Sequence, residues 1–550
     1  MGYVARLAAK GPLLRILLQC PRGRLIGALV ACAVGAVAGV VMVALVNAAL
    51  VPNADLRLLA SGFFACVVVN IVARVASGVS FAALGEGALL SIRSEMAQRI
   101  ASAPYRRIEA LGASRVQSVI TDDAAKVADF LVSAPHILMN ATMVAGCLTY
   151  LAWLSFSAFV FAALVIVAGS LIFHLGNIRA LKVLDEAGLA QDELFKHFEG
   201  LFLGAKELKL NEARAQAFLD QSLRRSVEDV RRLRLRGLRT YVMAMSAALF
   251  LVYALVGALT FGTGAAAAGS TIVFLYLMIP LDSLLAALPN AQHARVAMER
   301  IERVLHEADA PEPSVAAAPD TGFHELRLEG VSHRYYRDAE DGVFTLGPID
   351  LTLKPAEIVM LIGGNGSGKT TLAKVLTGLY APDDGAILLD GERIVDADRG
   401  RLRALFSTVF SDFHLFPTLD GVAAGGEGDL DARANELIAR LRLSHKVSVA
   451  GGRLSTRALS QGQRKRLALV AAYLEDRPFY LFDEWAADQD PEFREVFYRT
   501  LLPELRQRGK AVLAISHDDR YFPVADRCVK LENGAVADIF VARASRESAA

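Results

Sequence analysis

All the long apolar runs of this 550-residue chain lie in its first 300 residues. That one-sided distribution constrains the fold more than any other feature. Six segments, near 25–50, 58–83, 132–153, 156–176, 241–262 and 270–289, are long enough to cross about 30 Å of hydrocarbon, which takes roughly 20 residues of helix each. In lipid every backbone N–H and C=O must be satisfied within the segment, so the spans are expected to be helices. From residue 324 onward the chain reads as a soluble α/β domain. Between the two, "EADAPEPSVAAAPDTGF" (Glu307 to Phe323) carries Pro311, Pro313 and Pro319 among small and acidic residues, a linker composition.

The connections between spans are of two kinds. Those near 51–57, 154–155 and 263–269 are short and nearly free of basic residues. Those at 84–131 and 177–240 are long and strongly charged. Before Leu25 the chain carries Arg6, Lys10, Arg15, Arg22 and Arg24 with no acid, and "RRSVEDVRRLRLRGLR" at 224–239 places seven arginines beside the fifth span. The positive-inside bias puts both ends and both long connections in the cytoplasm. The first apolar run is too long for a signal peptide. With 59 basic against 58 acidic residues the net charge is +1. No global basic field exists, so a nucleic-acid partner is not expected. The arginine run, at a membrane boundary, reads as a topology signal. Cys20, Cys32, Cys66, Cys147 and Cys528 are scattered without zinc-ligand or redox spacing and read as free thiols.

Polar residues inside the spans admit two readings. Asn47, Asn70, Asn140 and Asp282 either line a substrate path or, for the asparagines above all, hydrogen-bond between helices. Asp282 falls in "IPLDSLLAALPN", between Pro280 and Pro289. Arg74, late in the second span, either snorkels to the inner surface or serves a substrate.

"EIVMLIGGNGSGKTTLAKVLTGL" is the strongest chemical signal. An apolar strand pattern precedes Gly363-Gly364-Asn365-Gly366-Ser367-Gly368-Lys369-Thr370-Thr371, and a helix-forming stretch follows. This is a P-loop in its required context. Its glycines let backbone N–H groups curl around phosphates, Lys369 reaches the β- and γ-phosphates, and Thr370 offers its hydroxyl to Mg²⁺. The helix start adds a favourable dipole. ATP and Mg²⁺ are the expected ligands. A second strand, "FYLFDE", ends at Asp483, placed to hold Mg²⁺, and Glu484, placed to polarise the attacking water. A third, "AVLAISH", ends at His517, placed to contact the γ-phosphate. The expected fold is a six-helix membrane domain at 1–306, a linker at 307–323, an α/β P-loop ATPase domain at 324–540 and a tail at 541–550.

Between the P-loop and the acidic strand lies "LSQGQRKRLAL", and here the motifs resemble the ABC transporters. Their signature usually reads Leu-Ser-Gly-Gly-Gln; this chain has Leu459-Ser460-Gln461-Gly462-Gln463. The resemblance implies that Ser460, Gly462 and Gln463 cap a nucleotide held by another subunit, so a second copy is the implied partner. It also implies an aromatic stacked on adenine, Tyr335 or the adjacent Tyr336. Six spans and one nucleotide domain look like an exporter half-transporter. "ISAPYRRIEALGASRVQSVITDD" and "ELFKHFEGLFLGAKELKLNE" would be its transmitting elements, or plain helical extensions.

Two positions depart from the family pattern. Where these domains carry a glutamine that touches Mg²⁺, this chain has Ser411, which would keep the metal contact through a water. Where they read Asp-Glu-Pro-Thr-Ser-Ala-Leu-Asp, this chain reads "DEWAADQD", Asp483 to Asp490, with Asp490 in register. Trp485 packs either on a partner or locally. "DEWAADQDP", "VFSDFHLF" and "AISHDDRYF" together resemble the cyclic-peptide exporters, the branch of syringomycin- and pyoverdine-type transporters. That implies export of a peptide, lipopeptide or siderophore precursor across a bacterial inner membrane. A lipid flippase of the same fold, and an ATP-gated channel, are the alternatives. An intact Glu484 and His517 argue against the channel.

Overall fold

The computed structural model describes residues 22–51, 54–263, 268–309, 323–337, 342–422 and 430–541. They fall into two compact units that are not contiguous in sequence. One comprises residues up to Glu95 together with Gln117–Arg303. The other comprises Met96–Val116 with everything from Val304 on. A stretch that reads as part of the membrane half is therefore built into the nucleotide half.

The first unit holds six helices long and apolar enough to cross a membrane. They are built on α1 (Arg22–Ala49), α2 (Leu56–Ser102), α4 (Ala124–Leu154), α5 (Phe156–Leu203), α6 (Arg224–Thr263) and α7 (Ala268–Glu307); the short α3 (Tyr105–Leu111), next in the chain after α2, belongs to the second unit. The long charged connections are largely continuations of these helices. After the second span, "LGEGALLSIRSEMAQRIAS" is rich in strong helix formers and free of proline, so the helix runs on to Ser102. It stops just before Pro104, whose ring disfavours helical geometry at Ala103. Pro135 in α4 and Pro280 and Pro289 in α7 lie within continuous helices, as membrane helices tolerate.

Small residues bring these helices close. A Cβ on Gly176 of α5 would stand 2.2 Å from that of Ala244 on α6, and one on Gly146 of α4 2.6 Å from the Val40 side chain of α1. The three span asparagines bond between helices. Asn47 donates to the Tyr150 hydroxyl at 3.0 Å, Asn70 to the Gly35 carbonyl at 2.6 Å and Asn140 to the Ser283 hydroxyl at 2.8 Å. The interhelical reading therefore holds for all three. Cys32, Cys66, Cys147 and Cys528 are free thiols; Cys20 lies outside the described residues. So do most of the linker and of the C-terminal tail.

The second unit carries two main sheets. One is antiparallel, in the order β2-β1-β4-β5, from β1 (Leu326–Arg337), β2 (Gly342–Leu353), β4 (Asp384–Leu389) and β5 (Glu392–Arg393). The other has the order β10-β9-β3-β8-β7-β6, from β3 (Ile358–Gly363), β6 (Phe406–Val409), β7 (Phe479–Asp483), β8 (Ala511–Ile515), β9 (Arg527–Glu532) and β10 (Ala535–Phe540). Its inner pairs are parallel. "IVMLI", "FYLFD" and "AVLAI" are buried along their whole length because both faces are covered, which is why they read as unbroken apolar runs rather than alternating ones.

Candidate functional site

Parallel register gathers the site at one edge of the sheet. Leu361 pairs with Ile515, and Ile515 with Asp483. The P-loop, the acidic pair and His517 therefore leave their strands side by side, where open α/β sheets bind ligands. Val409 pairs with Phe482, which carries Ser411 to the same edge.

In the loop, Gly363, Gly366 and Gly368 have φ of 148°, 79° and 98°, values that disfavour any side chain. A Cβ on Gly363 would also meet the Leu531 carbonyl at 2.3 Å. Gly368 caps the next helix, α8 (Lys369–Leu376). Lys369 is buried and donates to the Gly363 and Gly364 carbonyls at 2.9 and 2.8 Å. Burial holds its pKa below the ordinary lysine value, opposed by Glu484 and Asp483. Thr370 and Ser411 both donate to Oδ2 of Asp483, at 3.1 and 3.3 Å. Burial, followed by the Thr370 bond that opposes it and the Glu484 charge that adds to it, leaves the Asp483 carboxyl above its ordinary value. Glu484 occupies a left-handed turn, φ 49°. Its Oε1 lies 3.0 Å from Nε2 of His517.

Tyr335, Asn365, Gly366, Gly368, Lys369, Thr370, Thr371 and Glu484 line one cleft of about 210 Å³. Phe344 lines it too. It was invisible in the sequence because it reaches the cleft as the cross-strand partner of Tyr335. Tyr335 lines the cleft; the Tyr336 side chain lies outside the described residues. Three features fit a nucleotide with a divalent cation. The glycine turns leave room for phosphate against backbone. Ser367 Oγ is buried with no hydrogen-bond partner among the described residues. Thr370, Ser411 and Asp483 bring three oxygens together, the hard donor set that Mg²⁺ prefers.

Ser460, Gly462, Gln463 and Asp490 do not line this cleft. Ser460 caps α9 (Gln461–Glu475) in a capping box: its hydroxyl accepts from Gln463 N at 3.4 Å, and Gln463 Oε1 accepts from Ser460 N at 3.1 Å. Gly462 is required locally, because a Cβ there would stand 2.7 Å from the Asp488 carbonyl. Asp490 caps the helix Pro491–Val496 and pairs with Arg466. Trp485 packs locally. It is 1 % exposed, stacks on Phe497 with centroids 4.3 Å apart and donates from Nε1 to the Lys465 carbonyl at 2.9 Å.

One contact set involves a stretch expected to be a transmitting element, with partners the sequence did not indicate. Glu109 of α3 accepts from Lys374 of α8 at 3.1 Å and from the Tyr380 hydroxyl. Tyr105 packs on the Tyr380 ring, with centroids 6.1 Å apart. His333, two residues from Tyr335 on β1, stacks on the Tyr380 ring with centroids 4.8 Å apart.

Six membrane-crossing helices joined to a P-loop domain with an acidic pair and an α-helical signature segment define an ATP-hydrolysing transporter. The family description "ABC transporter" matches residues 346–487. The chain is 37% identical over 466 residues to the ATP-binding protein SyrD of Pseudomonas syringae pv. syringae, covering 81% of each. It is 25% identical over 481 residues to the ATP-dependent lipid A-core flippase of Bordetella pertussis, covering 82% of this chain and 74% of the flippase. A solved bacterial Atm1-family ABC exporter with ATP bound superposes over 95% of both chains with a TM-score of 0.76 at 18% identity. The chain belongs to the ABC transporters and has the fold of an ABC exporter.

Proposed function

We propose that this exporter moves a peptide-like amphiphile, such as a cyclic peptide, lipopeptide or siderophore precursor, out of the cytoplasm. It does so across a bacterial inner membrane as a homodimer with both chain ends inside. The observation that carries the dimer is the division of the site. The P-loop and Glu484 share one cleft, with His517 in contact with Glu484, whereas the signature Ser460 is exposed on a separate helix start. A second copy related by a two-fold axis completes both sites at once.

Each residue has a task in this reading. Tyr335 stacks on adenine. The loop N–H groups and Lys369 hold the phosphates, and Glu484 orients the attacking water while His517 holds Glu484 in place. Thr370, Ser411 and Asp483 would hold Mg²⁺, which neutralises developing phosphate charge. Ser460, with Gly462 and Gln463 shaping its helix start, closes the site from across the interface, and Asp490 fixes the loop between. Tighter binding of ATP to the closed dimer biases the membrane helices toward release.

Peptide-like cargo is supported by the similarity to SyrD over four fifths of the chain. It is also supported by a groove between α5, α6 and α7, where Val165, Met245, Leu249 and Met278 form an apolar wall with Asp282 among the lining residues. A carboxylate in such a wall suits a cargo with both apolar and hydrogen-bonding groups. The test is ATPase stimulation and uptake in inside-out proteoliposomes, comparing a cyclic lipopeptide with lipid A-core. Lipopeptide uptake with at least threefold ATPase stimulation is expected. Uptake of the lipid alone would overturn the cargo assignment.

A further inference from the structure

Lys465 has no part in the chemistry above, yet it is a cation only 3 % exposed, about one turn into α9. A buried ammonium is costly unless it is paired and hydrogen-bonded. Both conditions are met by the loop that follows the catalytic acid. Nζ donates to the Glu484 carbonyl at 2.9 Å and meets Oδ2 of Asp488 at 2.7 Å. The same turn of loop returns two bonds to α9, from Trp485 Nε1 to the Lys465 carbonyl at 2.9 Å and from Gln489 Nε2 to the Gly462 carbonyl at 3.0 Å. The sequence departures at 485 and 488 thus form one device with Lys465.

The residue this device grips is strained. Glu484 is a non-glycine residue at φ 49°, a left-handed conformation that is strained for an L side chain and needs its surroundings to hold it. The only side chain among the described residues that hydrogen-bonds its carbonyl is Lys465. Asp488 is 44 % exposed, so it balances the charge at the water boundary. The directional restraint is the bond to the carbonyl.

We propose that Lys465 is a positioning residue for ATP hydrolysis. Its ammonium locks the left-handed turn at Glu484, so that the carboxylate stays aimed at His517 and the attacking water. The proposal rests on the reading of Glu484 as the residue that activates water, and it makes α9 the part that sets the geometry of its own chain's hydrolytic carboxylate.

The test uses the full-length transporter in proteoliposomes, measuring ATPase kcat, KM for ATP and thermal stability for Lys465→Met, Lys465→Met/Asp488→Leu and Glu484→Gln. Lys465→Met should lower kcat at least tenfold while KM stays within twofold, because the P-loop is untouched. The double variant removes the whole ion pair and replaces it with apolar groups, so it should recover any stability lost by the single variant. It should still lack kcat, since the Glu484 carbonyl then keeps only the 3.3 Å bond from the Ala487 N–H. A double variant with wild-type kcat overturns the proposal even if Lys465→Met alone does not fold, and so does a folded single variant within twofold of wild type. Glu484→Gln separates the two layers. If it retains turnover, the reading of Glu484 fails. If it abolishes turnover while the lysine variants do not, only the positioning role fails.

Discussion

Lys374 and Glu109 are 265 residues apart in sequence, and their charged groups meet at 3.1 Å. Lys374 stands on the helix that begins with the P-loop lysine. Glu109 stands on α3, two residues of linker beyond the end of α2. The pair is mostly sheltered, with Lys374 only 14 % exposed. Burial works against the charge on Lys374, but the adjacent Glu109 carboxylate outweighs it and raises the pKa above the ordinary lysine value. Tyr380 adds its hydroxyl to the same carboxylate. The P-loop helix is thereby tied to the segment that continues the second membrane helix. Replacing Glu109 by Ala should leave basal ATPase within about twofold and cut transport per ATP several-fold, read as the ratio of the two rates in proteoliposomes. Equal loss of both would instead mean that Glu109 serves only to fold the domain.

Glu484→Gln keeps the shape of the side chain and removes its charge. Loss of one such group from a preorganised site typically costs about 10²–10³ in kcat. ATP affinity should persist, because the phosphate cradle is built from Gly363 to Thr371. A filter-binding or fluorescent-nucleotide titration beside the ATPase assay checks both halves of the statement.

Ser411 shares Asp483 Oδ2 with Thr370. Ser411→Ala removes one of three oxygens from the proposed Mg²⁺ position and leaves the other two. The Mg²⁺ concentration for half-maximal ATPase should rise several-fold, with kcat at saturating metal falling less. An unchanged Mg²⁺ curve would remove Ser411 from the metal site.

His333 offers a pH test. It is fully buried. Burial is the largest cause that lowers its pKa from 6.5, with Arg106 adding and Asp383 and the Ala381 carbonyl opposing. A histidine whose folded pKa is depressed favours the fold where it is neutral. Its contribution is present above about pH 6.5 and is lost as pH falls toward the lower folded value. Melting temperature should therefore drop between pH 7.5 and 5. The drop should be shallower in His333→Phe, which keeps a ring against Tyr380 but cannot take up a proton.

Trp485 is among the largest fully buried side chains of the protein. Trp485→Ala should destabilise the fold by about 3–5 kcal/mol. Trp485→Phe should recover the stacking on Phe497 but not the bond to the Lys465 carbonyl. Thermal denaturation of the three forms measures the difference.

The features legible in the sequence were those carried by local spacing. The P-loop, the acidic strand end and the signature each lie within about a dozen residues, so they could be recognised directly as motifs. The spans could be read because apolar length is itself the signal. Phe344, Tyr380 and Glu109 could not be found that way, because each acquires its role from a partner on another element. The asparagines were ambiguous for a related reason: a polar side chain in a span looks the same whether it faces cargo or a neighbouring helix. Only the positions of Tyr150, Gly35 and Ser283 decided it. The departure at Trp485 could be seen but not interpreted, since its partners Lys465 and Phe497 lie 20 residues before it and 12 after it.

The unbroken length of α5 has a consequence for how such a chain can vary. Its 48 residues extend about 72 Å, of which about 30 Å suffices for the hydrocarbon layer. Beyond the bilayer the helix is a shaft, and a shaft has phase. Inserting one residue would turn everything past it by about 100° and advance it about 1.5 Å, whereas seven would bring the faces back to within about 20°. Natural length changes in this half of the protein should accordingly be found in the short turns between helices, or arrive in sevens along the shafts.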